Sequence, residues 1–251
     1  MNLSHDETIT DINDGLRLIQ KRDGLTFGSD AYLLSAYVRR QSRARAADLG
    51  SGTGVIPLLM LKRGKISACE AIEAQPDFAA LIERNAGLNG FSDRLRGYCA
   101  DVRGLNPELI GGTVDIAVSN PPYMKPEGGQ SESERRQIAR HELLGGIADF
   151  CVAARRILKY GGLFYVVYRP DRLCDLLCAL RAARLEPKRM TFVHARRELP
   201  PCLVLCEAKA DASAGMYLTP PLIMYERDNI YTDTLTKIYE TGEFDESFQR
   251  P

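Results

Sequence analysis

The sequence predicts an α/β fold in which a mostly parallel sheet carries helices on both faces. From residue 44 to residue 210, short apolar runs alternate with longer segments of helical periodicity, which is the pattern of repeated strand–helix units. The run 113–119 is apolar at its centre, as expected of a strand covered on both sides. Three glycines follow the first of these runs, at the sheet edge where open α/β folds bind ligands.

Length and composition fit one domain of this class. The chain has 251 residues, of which 45% are apolar, and this is enough for one large hydrophobic core. We expect a single domain that consists of an N-terminal extension (1–43), a core (44–210) and a C-terminal extension (211–251). The oligomeric state is open, and a monomer is favoured.

Composition also excludes several classes of protein. No run approaches the roughly 18–20 apolar residues of a membrane span, and the first 14 residues are polar, unlike a secretory signal. We therefore expect a cytoplasmic protein without membrane contacts. The seven cysteines lie mostly within apolar runs, which indicates reduced, buried thiols. The pairs Cys174/Cys178 and Cys202/Cys206 are spaced more widely than structural zinc sites favour, so no metal is expected.

The secondary structure elements can be assigned in chain order. Turn signals at Asp14-Gly15 and Asp23-Gly24 predict a short hairpin within 1–25, and Ser29-Asp30 is expected to cap a helix through Ala31–Arg40. The seven predicted core strands are 44–49, 66–73, 94–100, 113–119, 163–168, 189–194 and 202–209. The predicted helices that follow are 55–63, 76–89, 143–158 (ended by Gly161-Gly162), 171–183 and 232–240.

The loop after the first core strand reads Asp48-Leu-Gly50-Ser-Gly52-Thr-Gly54. Its glycines allow a sharp turn that brings backbone amides against a ligand. The spacing is Gly-x-Gly-x-Gly, with Val55 at the last position of the dinucleotide fingerprint, and no Gly-Lys-Ser/Thr is present, which excludes a nucleoside-triphosphate P-loop. Taken alone, the loop is equally compatible with a purely structural tight turn.

Two further acids end the next two strands and extend this candidate site. Glu73 closes the second strand, 23 residues after Gly50, where a carboxylate can accept both hydroxyls of a ribose. Asp101 follows the third strand, where an acid can accept from the amino group of an adenine. Together with Asp48, these acids would repel a pyrophosphate but tolerate a sulfonium and an ammonium. The set favours S-adenosylmethionine (AdoMet) over a dinucleotide, although acidic strand ends also occur as helix caps.

The segment Asn120-Pro121-Pro122-Tyr123 follows the strand 113–119 and projects into the same crevice. Consecutive prolines lack amide donors and form a rigid turn with free carbonyls. If the Asn120 side-chain oxygen and the Pro121 carbonyl accept the hydrogens of a conjugated amine, its nitrogen is pushed towards tetrahedral geometry and its lone pair can face a methyl donor. The ring of Tyr123 can stack on a base taken out of its helix.

Together, 48–54 and 120–123 resemble the class I AdoMet-dependent methyltransferases of the amino-methylating branch, which have a Rossmann-like seven-stranded sheet. Further stretches are similar to the bacterial tRNA(Val) adenine-N(6) methyltransferases: Phe27-Gly-Ser-Asp30-Ala-Tyr-Leu-Leu34, Ile138-Ala-Arg-His141-Glu142, Arg169-Pro-Asp-Arg172-Leu, Leu185-Glu-Pro-Lys188-Arg189 and Pro220-Pro-Leu-Ile-Met-Tyr225. The resemblance covers about residues 15–240. It implies methylation of the adenosine at position 37 of the tRNA. It also implies that residues Asn120 to Tyr123 bind the target amine. The methyl donor would be bound by Gly50, Gly52, Glu73 and Asp101, with Asp48 and Asn120 beside them.

Charge is distributed unevenly along a chain that is neutral overall. Residues 125–200 contain fifteen basic and nine acidic residues, whereas 201–251 contain four and nine. Solvated helix faces would produce the same asymmetry, but phosphate contacts need a local basic surface. The candidate tRNA-binding residues near the crevice are Lys125, Arg135, Arg136, Arg140, His141, Arg169 and Arg172. His141 is interpreted as a loop or RNA-contact residue rather than a general base, because the amine sheds its proton after becoming cationic.

Other functions stay open. A glutamine side-chain amide, as in a release factor, poses the same electronic problem, but those enzymes usually carry a larger N-terminal helical domain than the about 45 residues before the first core strand. Methylation of rRNA or DNA bases is a second possibility, although a DNA enzyme would normally add a recognition domain. A non-catalytic RNA-binding protein on this fold is the alternative from a different class. It would be expected to have lost Gly52, Glu73 or Asn120, and all three are present.

Overall fold

The structure, a computed structural model, describes residues 3–22, 28–121, 145–227 and 230–249. The strands are β1 (Glu7–Ile12), β2 (Leu16–Lys21), β3 (Arg45–Leu49), β4 (Ala68–Glu73), β5 (Leu95–Cys99), β6 (Val114–Ser119), β7 (Leu158–Tyr168), β8 (Leu185–His194), β9 (Pro201–Ala210), β10 (Tyr217–Leu218), β11 (Leu222–Ile223), β12 (Tyr225–Arg227) and β13 (Ile230–Tyr231). The helices are α1 (Ser29–Tyr37), α2 (Val55–Lys62), α3 (Pro76–Leu88), α4 (Ile147–Ile157), α5 (Leu173–Ala182) and α6 (Asp233–Thr241).

The central sheet has the strand order β5-β4-β3-β6-β7-β9-β8, and the short strands β10 and β11 each pair with the outer edge of β8. The strands from β5 to β7 are parallel, and β9 runs antiparallel to both of its neighbours. The predicted Rossmann-like sheet of seven strands is therefore confirmed, with two short strands added at one edge. The predicted N-terminal hairpin is also confirmed, as β1 and β2.

Helices cover the sheet on both faces, as predicted. Alternate residues of a strand face opposite sides, and Ala117 and Val118 of β6 accordingly belong to two different hydrophobic clusters. One cluster contains apolar side chains of α1, α2, α3 and α6, and the other contains those of α4 and α5. Burial on both faces explains why β6 has an apolar sequence.

The prediction that Gly161-Gly162 ends a helix is wrong. Strand β7 begins at Leu158 directly after α4, and the glycine pair lies inside this strand. A Cβ on Gly162 would lie 3.0 Å from the carbonyl oxygen of Lys159 and 3.1 Å from that of Asp115 in the neighbouring strand. The pair thus allows a close backbone approach at an irregular point of the β6–β7 pairing.

Two asparagines, one within α3 and one directly after its end, hold the N-terminal hairpin to this helix. Asn85 accepts from the Ile19 amide at 2.7 Å and donates to the Ile19 carbonyl at 3.0 Å. One turn later, Asn89 makes the same pair of bonds with Arg17, at 2.9 and 2.7 Å. Asn85 also donates to the Thr53 carbonyl at 2.9 Å, so one buried side chain holds both β2 and the glycine loop.

The acidic C-terminal segment is anchored in the core by Arg189 of β8. Its guanidinium is fully buried and lies 3.7 Å from the centre of the Tyr37 ring. It forms an ion pair with Glu207 at 2.9 Å and donates to the Phe248 carbonyl at 3.2 Å. The expected single domain, with its division at residues 43 and 210, stays a prediction.

The thiols are less buried than expected. Cys69, Cys151 and Cys206 are buried, but Cys99, Cys174, Cys178 and Cys202 are exposed. On α5 the leucines Leu176 and Leu180 face the core, so the two cysteines between and beside them face solvent. Within the described ranges, no group of three or more His, Cys, Asp or Glu side chains could hold a metal ion. The helices described here are all too short or too polar to cross a membrane.

Candidate functional site

The carboxyl ends of the parallel strands bring most of the predicted site residues to one edge of the sheet. Along this edge lie Asp101 after β5, Glu73 at the end of β4, the glycine loop after β3 and Asn120 after β6. Ser119 pairs with Val166 in the neighbouring strand, and Arg169 follows the end of that strand. Neighbouring strands lie about 5 Å apart, so those predicted donor and acceptor residues that the structure describes lie side by side along this edge.

The glycine loop has a left-handed backbone at each of its three glycines. The φ angles are +74° at Gly50, +57° at Gly52 and +85° at Gly54, a region that favours glycine. A Cβ on Gly50 would lie 3.1 Å from the ring of Phe150, whereas a Cβ on Gly52 would have no atom within 4 Å. A side chain at Gly50 would therefore crowd the Phe150 ring as well as strain the backbone, and Gly52 borders open space at the sheet edge.

The amides of Gly50, Ser51 and Gly52 are already engaged within the protein, which the sequence did not indicate. Those of Gly50 and Ser51 both donate to the Ile72 carbonyl at 2.9 Å. The amide of Gly52 donates to the Glu73 carboxylate at 2.9 Å. The glycines therefore allow a close approach to the sheet edge, and their amides hold the loop to β4.

Glu73 is held between two loops and is only 5% exposed. Its Oε2 accepts from the Gly52 amide and its Oε1 accepts from the Gln75 amide, both at 2.9 Å. Each carboxylate oxygen can accept a further hydrogen bond. The carboxylate is thus fixed in orientation and keeps capacity for a hydroxyl donor.

Asp48 is a buried acid with one unsatisfied oxygen. Ser51 donates to its Oδ2 at 2.6 Å, but Oδ1 has no hydrogen-bond partner among the described residues. Burial raises the pKa of Asp48 to about 7; the Ser51 hydroxyl lowers it, and the negative charge of Glu73 raises it. A cation placed near this carboxylate would favour its ionised form.

Asp101 is partly exposed and already has a basic partner. Its Oδ1 accepts from the backbone amide of Arg103 at 2.8 Å, and both oxygens accept from the Arg103 guanidinium. This donation from Arg103 lowers the pKa of Asp101, so the acid is ionised at neutral pH. An adenine amino group would have to share the carboxylate with Arg103.

These residues fit AdoMet as the donor molecule. Glu73 keeps capacity for hydroxyl donors, Asp48 has an unpaired buried oxygen, and open space lies at Gly52. The ribose of AdoMet has hydroxyl groups that can donate to a carboxylate. Its positively charged sulfonium can balance the negative charge of a buried acid. We name the three acids Asp48, Glu73 and Asp101 the acidic side of the crevice.

Asn120 stands at the centre of the edge and is oriented by Asp30. Its Nδ2 donates to Asp30 Oδ2 at 2.9 Å, so its side-chain oxygen faces away from Asp30. The other oxygen of Asp30 accepts from the Ala31 amide at 2.9 Å. The sequence predicted Ser29-Asp30 as a helix cap, but Gly28 occupies the N-cap and α1 ends at Tyr37. The contact with Asn120 is thus a role that sequence reasoning missed.

Several predicted residues lie outside the described ranges. Of the Asn-Pro-Pro-Tyr segment, Asn120 and Pro121 are described. The residues outside are Pro122, Tyr123, Lys125, Arg135, Arg136, Arg140 and His141. Their predicted contacts with the target base and with tRNA stay predictions.

The arginines after β7 carry carboxylate partners that the sequence did not indicate. Arg169 donates to both oxygens of Asp171, at 2.8 and 2.7 Å. Arg172 forms an ion pair with Asp175 three residues later. A cavity of about 440 Å³ lies beside these arginines, and its lining residues are Arg169, Pro170, Asp171, Pro201, Cys202 and Leu203.

Two further arginines lie at the same edge, in the connection between β8 and β9. Arg196 and Arg197 follow Ala195 just after the end of β8, within a turn in which the Leu199 amide donates to the Arg196 carbonyl at 3.1 Å. The His194 ring is bonded to the Leu199 carbonyl at 2.8 Å. Sequence reasoning missed these two residues, and the signal that could have found them is an Arg-Arg pair in a short hairpin. We name Arg169, Arg172, Arg196 and Arg197 the arginine side.

Comparison with known proteins gives one family and several relatives. The model of the methyltransferase small domain family matches residues 22–177. A protein of Porphyromonas gingivalis, named tRNA1(Val) (adenine(37)-N6)-methyltransferase, is 28% identical over 221 residues, which cover 85% of this chain and 86% of that protein.

Solved structures show the same fold at low sequence identity. A predicted O-methyltransferase of Agrobacterium tumefaciens, protein Atu636, has a TM-score of 0.68 at 22% identity and covers 85% of this chain and 96% of that chain. M. jannaschii TYW2 in complex with AdoMet has a TM-score of 0.57 at 14% identity, and covers 83% and 88%. At these identities the similarity concerns the fold alone.

Proposed function

The chain belongs to the methyltransferase small domain family, and from this premise we propose that it uses AdoMet to methylate the exocyclic amine of an adenosine in tRNA, at position 37 of a valine tRNA. The similarity to a protein named for this reaction supports the substrate. The observation that carries the proposal is the position of Asn120 between the acidic side and the arginine side, with its amide oriented by Asp30.

The acidic side is the proposed donor site. AdoMet, when bound, supplies a methyl group on a positively charged sulfur. Glu73 accepts the ribose hydroxyls, Asp101 accepts from the adenine amine, and Asp48 contributes negative charge at the base of the crevice. The lack of a side chain at Gly52 leaves open space beside these acids.

Asn120 and Pro121 form the proposed acceptor site. The Asn120 side-chain oxygen and the Pro121 carbonyl accept the two hydrogens of the target amine, which draws its lone pair out of conjugation. Proline offers no amide donor that would compete at this point. Because Nδ2 of Asn120 is engaged with Asp30 at 2.9 Å, the oxygen is presented without the cost of orienting it during the reaction. The methylated amine then loses a proton to solvent and needs no strong base.

The arginine side is the proposed contact with tRNA phosphates, and a cytoplasmic location follows from this substrate. Arg169 and Arg172 follow the strand next to Asn120, so phosphates beside the target nucleotide would reach them. Their short-range ion pairs with Asp171 and Asp175 can exchange for phosphate contacts at small cost, since exposed pairs contribute only about 0.2–1 kcal/mol.

Labelled methyl transfer tests the proposal. Bulk tRNA from a strain that lacks this protein is incubated with the protein and labelled AdoMet, and the nucleosides are separated by mass spectrometry. We expect label in N6-methyladenosine, and its loss with Asn120→Ala. Label in protein and none in RNA would instead favour glutamine methylation, and no binding heat on titration with AdoMet would favour the non-catalytic alternative.

A further inference from the structure

Four tyrosines from separate parts of the chain pack into one continuous wall. They are Tyr32 of α1, Tyr239 of α6, Tyr231 of β13 and Tyr225 of β12. The ring centres of successive members lie 5.7, 5.4 and 5.3 Å apart. We name this group the tyrosine wall.

One end of the wall lies close in sequence to Asp30, and the other end is hydrogen-bonded to the residue before the Arg196-Arg197 pair. Tyr32 lies two residues after Asp30, which holds Asn120. Burial raises the pKa of Tyr239 to about 12, and the charges of the other wall tyrosines and of Asp30 add to this. At the far end, the Tyr225 amide donates to the Ala195 carbonyl at 3.0 Å, immediately before the Arg196-Arg197 pair.

Three of the four wall tyrosines pack against the hydrophobic core, and the fourth does not. Tyr32, Tyr225 and Tyr239 are partly buried and pack against the hydrophobic cluster on the sheet face that α1, α2, α3 and α6 cover. Tyr231 lies outside that cluster and is 44% exposed, and its neighbour Ile230 is 56% exposed. The outermost ring is therefore presented to solvent by the three rings behind it.

We propose that the tyrosine wall, through Tyr231, is a stacking surface for an unpaired nucleobase of the RNA beside the target adenosine. This rests on the proposed function and adds a residue that reads the neighbouring nucleotide. Aromatic rings next to arginines are the usual means of binding single-stranded nucleic acid, since rings stack on bases and cations meet the backbone. A protein partner would need a broad apolar surface, whereas the large exposed apolar side chains at this place are Tyr231 of the wall and its neighbour Ile230.

The chain contains no tryptophan, which permits a direct test. Tyr231→Trp keeps a stacking ring and introduces a single fluorescent reporter, and Tyr231→Leu keeps apolar area without a ring. The matched control is Tyr160, which is 85% exposed near the start of β7, at the opposite edge of the sheet. The RNA is an anticodon stem-loop of a valine tRNA with position 37 unmodified.

We expect this RNA to quench the emission of the Tyr231→Trp protein but not that of Tyr160→Trp. Tyr231→Leu should weaken RNA binding about 5- to 150-fold, which corresponds to the loss of one stacked base. AdoMet affinity should be unchanged in all variants, and Tyr160→Leu should bind RNA as the wild type does.

Two outcomes separate this inference from the proposed function. If the wild type methylates the stem-loop and Tyr231→Leu binds it with wild-type affinity, the stacking surface is refuted and the proposed function stands. If the wild type neither binds nor methylates any RNA, the proposed function itself fails. Quenching of Tyr231→Trp by a protein from the same cells, with no response to RNA, would show that the wall is a protein interface and overturn the inference.

Discussion

The acidic side and the arginine side of the crevice are built in opposite ways. On the acidic side, Glu73 is 5% exposed and is fixed by two backbone amides, and Asp48 is completely buried. On the arginine side, Arg169 and Arg172 lie near the surface and form ion pairs with Asp171 and Asp175, which are close to them in sequence. Glu73 and Asp48 are thus preformed, whereas the arginines are held by exchangeable pairs; Asp101, which pairs with Arg103 at the surface, is the exception on the acidic side.

The contrast matches the two proposed ligands. A small cationic donor has the same shape in every reaction cycle, so fixed carboxylates bind it without reorganisation. A tRNA is a large polyanion whose binding releases counterions. Arginines that can leave an ion pair with a nearby aspartate suit this ligand better than fixed charges do. Asn120 stands between the two sides, and its orientation is fixed as well, because its amide donates to Asp30 of α1.

Asn120→Ala gives the largest expected effect. Loss of the amine acceptor should lower kcat about 100- to 1000-fold, by analogy with the removal of a single preorganised group from comparable sites. The measurement is single-turnover methyl transfer, with AdoMet affinity determined by calorimetry. The control is Asn106→Ala, which removes an exposed asparagine that caps the Leu109 amide.

The change in AdoMet affinity caused by Asn120→Ala shows whether Asn120 contacts the acceptor alone or the donor as well. Unchanged AdoMet affinity would assign Asn120 to the acceptor, and a large loss would assign it to the donor site as well. Asp30→Ala should lose less activity than Asn120→Ala, because the oxygen remains and only its orientation is released. An undiminished rate in Asn120→Ala would break the proposal.

The buried acid predicts a pH dependence of stability. The pKa of Asp48 is raised from 3.8 to about 7 by folding, so the unfolded chain releases this proton at lower pH than the folded protein does. The free energy of unfolding should therefore fall as the pH rises from about 5 to about 7, by up to about 1.4 kcal/mol per pH unit, and then level off.

Urea denaturation at pH 5 and at pH 7 measures this dependence. Asp48→Asn should remove the decline between the two pH values, whereas Asp93→Asn, which changes an exposed acid, should retain it. The same decline in wild type and Asp48→Asn would show that the buried carboxyl does not titrate in this range. The arginine side should contribute no comparable decline, because its charges stay in water.

Glu73→Gln should weaken the donor site with little effect on the chemical step. One amide oxygen can still accept, but the new NH2 group would face a backbone N–H that now lies 2.9 Å from the carboxylate. Hydrogen bonds to charged groups contribute about 1.5–3 kcal/mol, so AdoMet should bind about 10- to 100-fold more weakly. At saturating AdoMet, kcat should be near the wild-type value. Glu83→Gln is the matched control, since Glu83 also accepts a backbone amide, from Gly97 at 2.7 Å.

Much of the acidic side could be predicted from the sequence. Strands and helices alternate with clear periodicities, so the pattern alone assigns the residues that follow each strand to one edge of the sheet. Glu73, Asp101 and Asn120 all lie where this argument placed them. The local turn also explains why three glycines stand after β3, since each has a positive φ.

Contacts between distant segments could not be predicted in the same way. The contact of Asp30 with Asn120 joins residues 90 positions apart and depends on how α1 docks, which no local pattern encodes. The tyrosine wall likewise draws on four elements. The ion pair of Arg169 with Asp171 is local, but a two-residue spacing in a loop gives no rule for pairing of the kind that helices provide.

Substitutions on the arginine side should have the smallest effects, and the direction of the change in the KM for tRNA is more informative than its size. Arg169→Ala should raise the KM for tRNA about two- to five-fold, as expected for one exposed charge, and Arg172→Ala should act in the same direction. Asp171→Ala should lower the KM, because Arg169 no longer has to leave a carboxylate that it now contacts at 2.7 Å. Measuring tRNA binding against salt concentration tests the cause, since each lost phosphate contact reduces the slope by about 0.7 for a single strand. If Asp171→Ala also weakens tRNA binding, the ion pair holds Arg169 in its binding position, and the arginine side is preformed in the same sense as the acidic side.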